Sequence, residues 1–120
     1  MPALSIDTIF DAAIRIQLIE ERALSLYFSE QSLFIKFPTT RRLAEFLDVP
    51  HYYVLPYFAM MEQDQLVTRA ERVGIMTTAP GTHKFLSMMQ ERYREEALRI
   101  LGPVVFEDIL KRVHISPSHA

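Results

Sequence analysis

The chain lacks cysteine and tryptophan altogether and has only three glycines in 120 residues. Without thiols there is no disulfide, no thiolate zinc or iron–sulfur centre and no cysteine nucleophile. Glycines at 74, 81 and 102 alone cannot build a phosphate-cradling loop, and no nucleophile motif stands elsewhere, so no enzymatic activity and no cofactor are expected. His51, His83, His114 and His119 match no metal-ligand spacing, and no metal site is expected. Glu107 and Asp108 are adjacent, and adjacent helix positions do not converge. No run reaches the roughly 18 uncharged apolar residues of a membrane helix. Asp7, Asp11 and Arg15 interrupt the apolar N-terminus, which argues against a signal peptide and for a cytoplasmic protein without a membrane partner.

An excess of basic charge is missing too. The formal net charge is −2, whereas generic nucleic-acid binders are basic. Residues 1–38 carry three basic and five acidic side chains, while 39–85 and 86–120 each carry five of both. Any affinity for DNA must therefore come from a local patch.

What is present is apolar pattern. Hydrophobic residues make up 49% of the chain, enough for one domain spanning 1–120. Ser5 is a candidate N-cap for a helix over 5–28, whose wide apolar face, including Ile9, Phe10 and Ile16, points to burial on more than one side, against a second subunit in the expected arrangement. Ser32–Pro38 reads as extended, because the residue before proline avoids the helical region. Thr39 or Thr40 caps a helix over Thr40–Leu47. Asp48-Val49-Pro50 breaks it, and Pro50 as first helical residue opens another toward Gln63, with Val54, Phe58 and Met61 inward. Pro56 is expected to kink or shorten that helix. Two β-prone runs, 66–69 and 74–78, predict a hairpin punctuated by Pro80-Gly81. A helix over Thr82–Leu101 carries Leu86, Met89, Tyr93, Ala97 and Ile100 at helical spacing. Gly102-Pro103 ends it, and a last helix follows with Phe106 and Leu110 among its apolar residues, before a frayed tail over 114–120.

Three blocks carry a family resemblance. Thr39-Thr40-Arg41-Arg42-Leu43-Ala44-Glu45-Phe46-Leu47-Asp48-Val49-Pro50 resembles the Thr-x-x-x-Leu-Ala-x-x-Leu-Gly-Val-Ser front half of a helix-turn-helix. Met61-Glu62-Gln63-Asp64-Gln65-Leu66-Val67 resembles Leu-x-x-x-Gly-Leu-Val, and Thr78-Ala79-Pro80-Gly81-Thr82-His83-Lys84-Phe85-Leu86 resembles the Thr-x-x-Gly junction after a wing. Together they resemble winged helix-turn-helix repressors of the multiple-antibiotic-resistance and phenolic-acid types. Asp48 and Gln65 stand where that pattern has glycine. The implied fold is mainly α with a small β-hairpin: a winged helix-turn-helix over 39–85 with extra N- and C-terminal helices, the latter over 82–113.

The resemblance implies a transcriptional regulator, a repressor in the usual case, that binds double-stranded DNA as a homodimer. The expected DNA-binding set is Thr40, Arg41, Arg42, His51, Tyr52, Tyr53 and Tyr57, with Arg69, Arg72 and Lys84 around the wing. The expected dimer contact is Ile9, Phe10, Ile16, Leu86, Met89, Tyr93, Ala97, Ile100, Phe106 and Leu110. A second reading takes the second motif helix as a protein-contact module through Tyr52, Tyr57 and Met60. No Arg, Lys, Asn or Gln lies between His51 and Met61, and an uncharged Tyr/Leu/Pro/Met surface suits the centre of an interface.

Overall fold

A computed structural model describes residues 3–116. Helix α1 (Ile6–Arg15) starts where Ser5 closes a reciprocal capping box with Thr8, each side chain bonding the other's backbone N–H, at 3.0 and 2.8 Å. The chain then widens into a π-helix (Ile16–Glu21) and stops at Arg22, which adopts the left-handed conformation. The helix expected over 5–28 is thus shorter. The π-helical turn carries Ile16, Gln17 and Leu18 into the core, continuing the buried run Ala12, Ala13 and Ile14 of α1.

Residues 26–28 form strand β1 (Leu26–Phe28) instead, paired antiparallel with β2 (Leu33–Ile35). Ser29 closes their turn, its hydroxyl accepting from the Ser32 N–H at 3.1 Å. Helix α2 (Thr40–Leu47) is capped by Thr39, whose hydroxyl accepts from the Arg42 N–H at 3.0 Å. A turn through Asp48 leads to α3 (His51–Gln63). Pro50 precedes that helix in an extended conformation, as its cap and not its first residue. Pro56 does not shorten α3, which continues to Gln63.

Strands β3 (Val67–Ala70) and β4 (Gly74–Thr77) form the second antiparallel hairpin. The two hairpins are joined: Lys36 bridges Met76, and the Phe37 N–H donates to the Ile75 carbonyl at 2.8 Å. Helix α4 (Ala79–Arg92) is capped by Thr78, so Pro80 and Gly81 lie in its first turn and do not precede it. The helix expected to run unbroken to Leu101 is interrupted at Tyr93, which leaves the helical region at φ −133°, and α5 (Arg94–Arg112) follows with a kink at Gly102. The architecture is mainly helical with two small antiparallel hairpins.

Phe37 sits at the centre of the core. Its ring meets Phe10 of α1, Phe58 of α3 and Phe85 of α4 edge-on, with centroids 5.2, 5.9 and 6.4 Å away. Around it are packed Ile9, Ile16, Leu86, Met89, Ala97, Phe106 and Leu110, all fully buried within the single chain. Those seven and Phe10 were expected at a dimer contact. The wide stripe of α1 has a different cause: α2 and α4 both pack on that helix. The other two expected contact residues are half-buried, and Tyr93 spends its hydroxyl on Asp11 at 2.8 Å.

Candidate functional site

The turn between α2 and α3 holds because Asp48 takes the left-handed conformation, φ 56°, which aspartate tolerates better than most residues. Its N–H reaches the Glu45 carbonyl, and the Val49 N–H reaches that of Ala44. Leu43 and Ala44 of α2 then lie buried with Val54, Phe58 and Met61 of α3. Small Ala44 allows the close approach. The Thr40 hydroxyl and His51 Nε2 are hydrogen-bonded at 2.7 Å, so the starts of the two helices stand side by side. Arg41 and His51 line one cleft there, together with Glu45 and Asp48. Arg41 itself is exposed.

With one face of α3 buried, the opposite face is set by the helical period. Tyr52, Pro56, Ala59 and Gln63 recur at spacings of three and four, with Met60 beside them, and all five are exposed. Tyr52 is 64% exposed, Tyr53 43%, Leu55 42% and Met60 47%, a contiguous uncharged surface. Tyr52 and Tyr53 brace each other edge-on at 4.8 Å between centroids. Tyr57 faces the other way and is half-buried against the core.

The expected cations divide. Arg69 of β3 is exposed and lies 3.6 Å from Glu62 at the end of α3. Arg72 is exposed in the left-handed conformation at the hairpin tip. Arg42 is turned back to Glu20 at 2.8 Å. Lys84 does not belong to this surface: its ammonium pairs with Asp7 of α1 at 2.5 Å and lies over the Phe10 ring. That hydrogen bond and charge hold the Asp7 carboxyl below its ordinary value of 3.8. The arrangement brings together Arg41, His51, Tyr52 and Tyr53, leaves Arg69 and Arg72 on the neighbouring hairpin, and removes Lys84, Arg42 and Tyr57.

Two features of this surface escaped sequence reasoning. Glu45 shares the cleft with Arg41, which their i,i+4 spacing on α2 already implied. Gln63 continues the outer line of α3 beyond Met61, two turns past Pro56. Among the described residues no group of three or more acidic or histidine side chains is placed to hold a metal, and no helix is long and apolar enough to cross a membrane. Comparison of the chain with protein-family models and with curated proteins gave no match.

Proposed function

We propose that the chain is a winged helix-turn-helix DNA-binding domain that acts in transcriptional regulation, a repressor in the simplest case. The observation that carries this reading is the Thr40–His51 bond, which sets the exposed Arg41 beside the first turn of α3, where Tyr52 and Tyr53 are exposed. In a helix-turn-helix the first helix crosses the phosphate backbone, and the N-terminal residues of the second meet base edges. Two backbone features support the fold assignment. Asp48 and Gln65 occupy the positions where the resembled pattern has glycine, and both have positive φ, 56° and 59°. The Lys36–Met76 bridge ties the strand ahead of α2 to the second strand of the hairpin, as a wing requires.

Arg41 and the wing residues Arg69 and Arg72 are the phosphate contacts in this reading, and His51, Tyr52 and Tyr53 face the groove. A palindromic site needs a second copy, and among the described residues outside α3 the exposed large apolar side chains open to one include Ile19, Tyr27, Phe28, Val104 and Val105, in place of the buried stripe.

The test is binding to duplex DNA across a salt titration, with the size of the free protein measured alongside. Arg41→Ala and Arg72→Ala should each weaken binding and reduce the slope of log K against log salt by about 0.9. Unchanged slopes in both variants overturn the phosphate assignment, and no binding at low salt overturns the reading. The uncharged outer face of α3 favours one other reading, a protein-contact surface. That reading predicts that Tyr52→Glu abolishes a protein complex while leaving the fold intact, since Tyr52 is exposed.

A further inference from the structure

We infer that the outer face of α3 selects thymine-rich duplex by apolar contact with the 5-methyl groups in the major groove. This rests on the DNA-binding reading above. Guanine is usually read by a bidentate Arg or Lys, and adenine by a bidentate Asn or Gln. The first three turns of α3 carry none of these residues. The one amide on the outer line, Gln63, is the last residue of the helix, and it is the N-terminal part that meets the bases.

What the face does offer is Tyr52, Leu55, Pro56, Ala59 and Met60, all exposed. The thymine methyl is the one apolar group that the four unmodified bases present on the major-groove edge. The charged side chains stand beside this face and not on it: Arg41 shares the α2–α3 cleft with Glu45 and Asp48, Arg69 faces Glu62, and Arg72 is exposed at the hairpin tip. Charge complementarity with DNA is therefore confined to phosphates, which carry no sequence information, and the uncharged strip between them is left to the bases.

Pro56 adds to this. Its pyrrolidine ring puts an apolar surface at the centre of the face, and the only polar consequence is that the Tyr52 carbonyl loses its helical N–H partner.

The experiment compares four duplexes of equal length at one low salt concentration: a thymine-rich duplex, the same duplex with deoxyuridine for thymine, a G·C-rich duplex, and that duplex with 5-methylcytosine for cytosine. Each methyl in contact should be worth about fourfold in Kd, the equivalent of one buried methylene. Deoxyuridine should weaken binding by that factor or more, and 5-methylcytosine should strengthen binding to the G·C-rich duplex. Tyr52→Ala and Pro56→Ser, both at exposed positions, should shrink the thymine-to-uracil ratio toward one. Salt-dependent binding with equal affinity for methylated and unmethylated partners overturns this inference and leaves DNA binding standing. A preference for the unmodified G·C-rich duplex also overturns it. No binding to any of the four overturns both, and leaves the face to a protein partner.

Discussion

Replacing Gly81 by alanine sets two effects of opposite sign against each other. Gly81 lies in the first turn of α4, where helix propensity alone favours alanine by up to about 1 kcal/mol. Packing opposes it. A β-carbon at 81 would lie 1.8 Å from the Leu66 carbonyl oxygen, 2.8 Å from its carbon and 3.3 Å from its α-carbon. All three atoms are backbone, so no side-chain rotation relieves the contact. Nor can Leu66 withdraw freely. Its carbonyl accepts the Thr78 N–H at 3.1 Å, and its own N–H donates to the Met61 carbonyl at 2.9 Å. Overpacking of this kind costs ~1–3 kcal/mol, and a disturbed hydrogen bond adds ~1 kcal/mol. The net expectation is a loss of about 3 kcal/mol at most, which lowers a urea midpoint by on the order of 1–2 M. Gly74→Ala is the control, because nothing lies within 4 Å of its added carbon and only its φ of +109° opposes the change. Its loss should be smaller, about 1–2 kcal/mol. A Gly81→Ala protein as stable as the parent, or more stable, would show that α4 is not seated on the Leu66 carbonyl, and the joint between α3, the hairpin and α4 would have to be redrawn.

Gln65→Gly should stabilise the fold by about 0.5–1 kcal/mol, because Gln65 holds φ 59° and glycine has no β-carbon to strain there; a lower denaturation midpoint would contradict this. Tyr93→Phe should cost about 1 kcal/mol, since it deletes the 2.8 Å bond to Asp11. Burial, and then the Asp11 bond and charge, push the Tyr93 hydroxyl up to about 12 from 10.0. The folded state thus holds this proton more tightly than the unfolded chain, so the stabilisation is complete below pH 10.0 and lost as the pH rises toward about 12. Alkaline denaturation curves of parent and Tyr93→Phe should converge across that window. On the proposed DNA-binding reading, Glu45→Gln should tighten binding at low salt by removing a negative charge from the cleft that holds Arg41, and the gain should vanish at high salt.

The middle of the fold was legible because its signals are local. The period in Leu43, Ala44 and Leu47 after Thr39 or Thr40 gave the bounds of α2, and the inward set Val54, Phe58 and Met61 marked α3, while Leu47 is half-buried and Pro50 caps α3 instead of beginning it. The β3–β4 hairpin was equally plain, two β-prone runs around a polar turn. The ends were not legible. Residues 22–28 contain no glycine or proline, so nothing in the sequence stops a helix there. What stops it is tertiary: the buried Gln17 amide donates to the Lys36 carbonyl at 3.0 Å, and β1 pairs with a strand several residues on. The break at Tyr93 has the same character, since Tyr93 leaves the helical line and bonds Asp11 of α1. His119 and the end of the expected tail lie outside the described residues.

The misassigned dimer contact shows what periodicity leaves out. Leu86, Met89 and Ala97 do form an apolar stripe, but a stripe gives no distance to whatever covers it. Here one chain covers it: α1 lies between α2 and α4, and α5 closes over the π-helix. The same reasoning acts in the opposite direction on α3. Val54, Phe58 and Met61 already fill its inner side, so the bulk at Tyr52, Leu55, Pro56 and Met60 has no place in this chain's core and stays exposed. A regulator that reads guanine would place charge on that strip, and a helix with no partner would carry polar residues there. The strip observed is uncharged, with Arg41, Arg69 and Arg72 beside it together with Glu45, Asp48 and Glu62, so on the proposed reading any sequence preference has to come from apolar contact and not from charge.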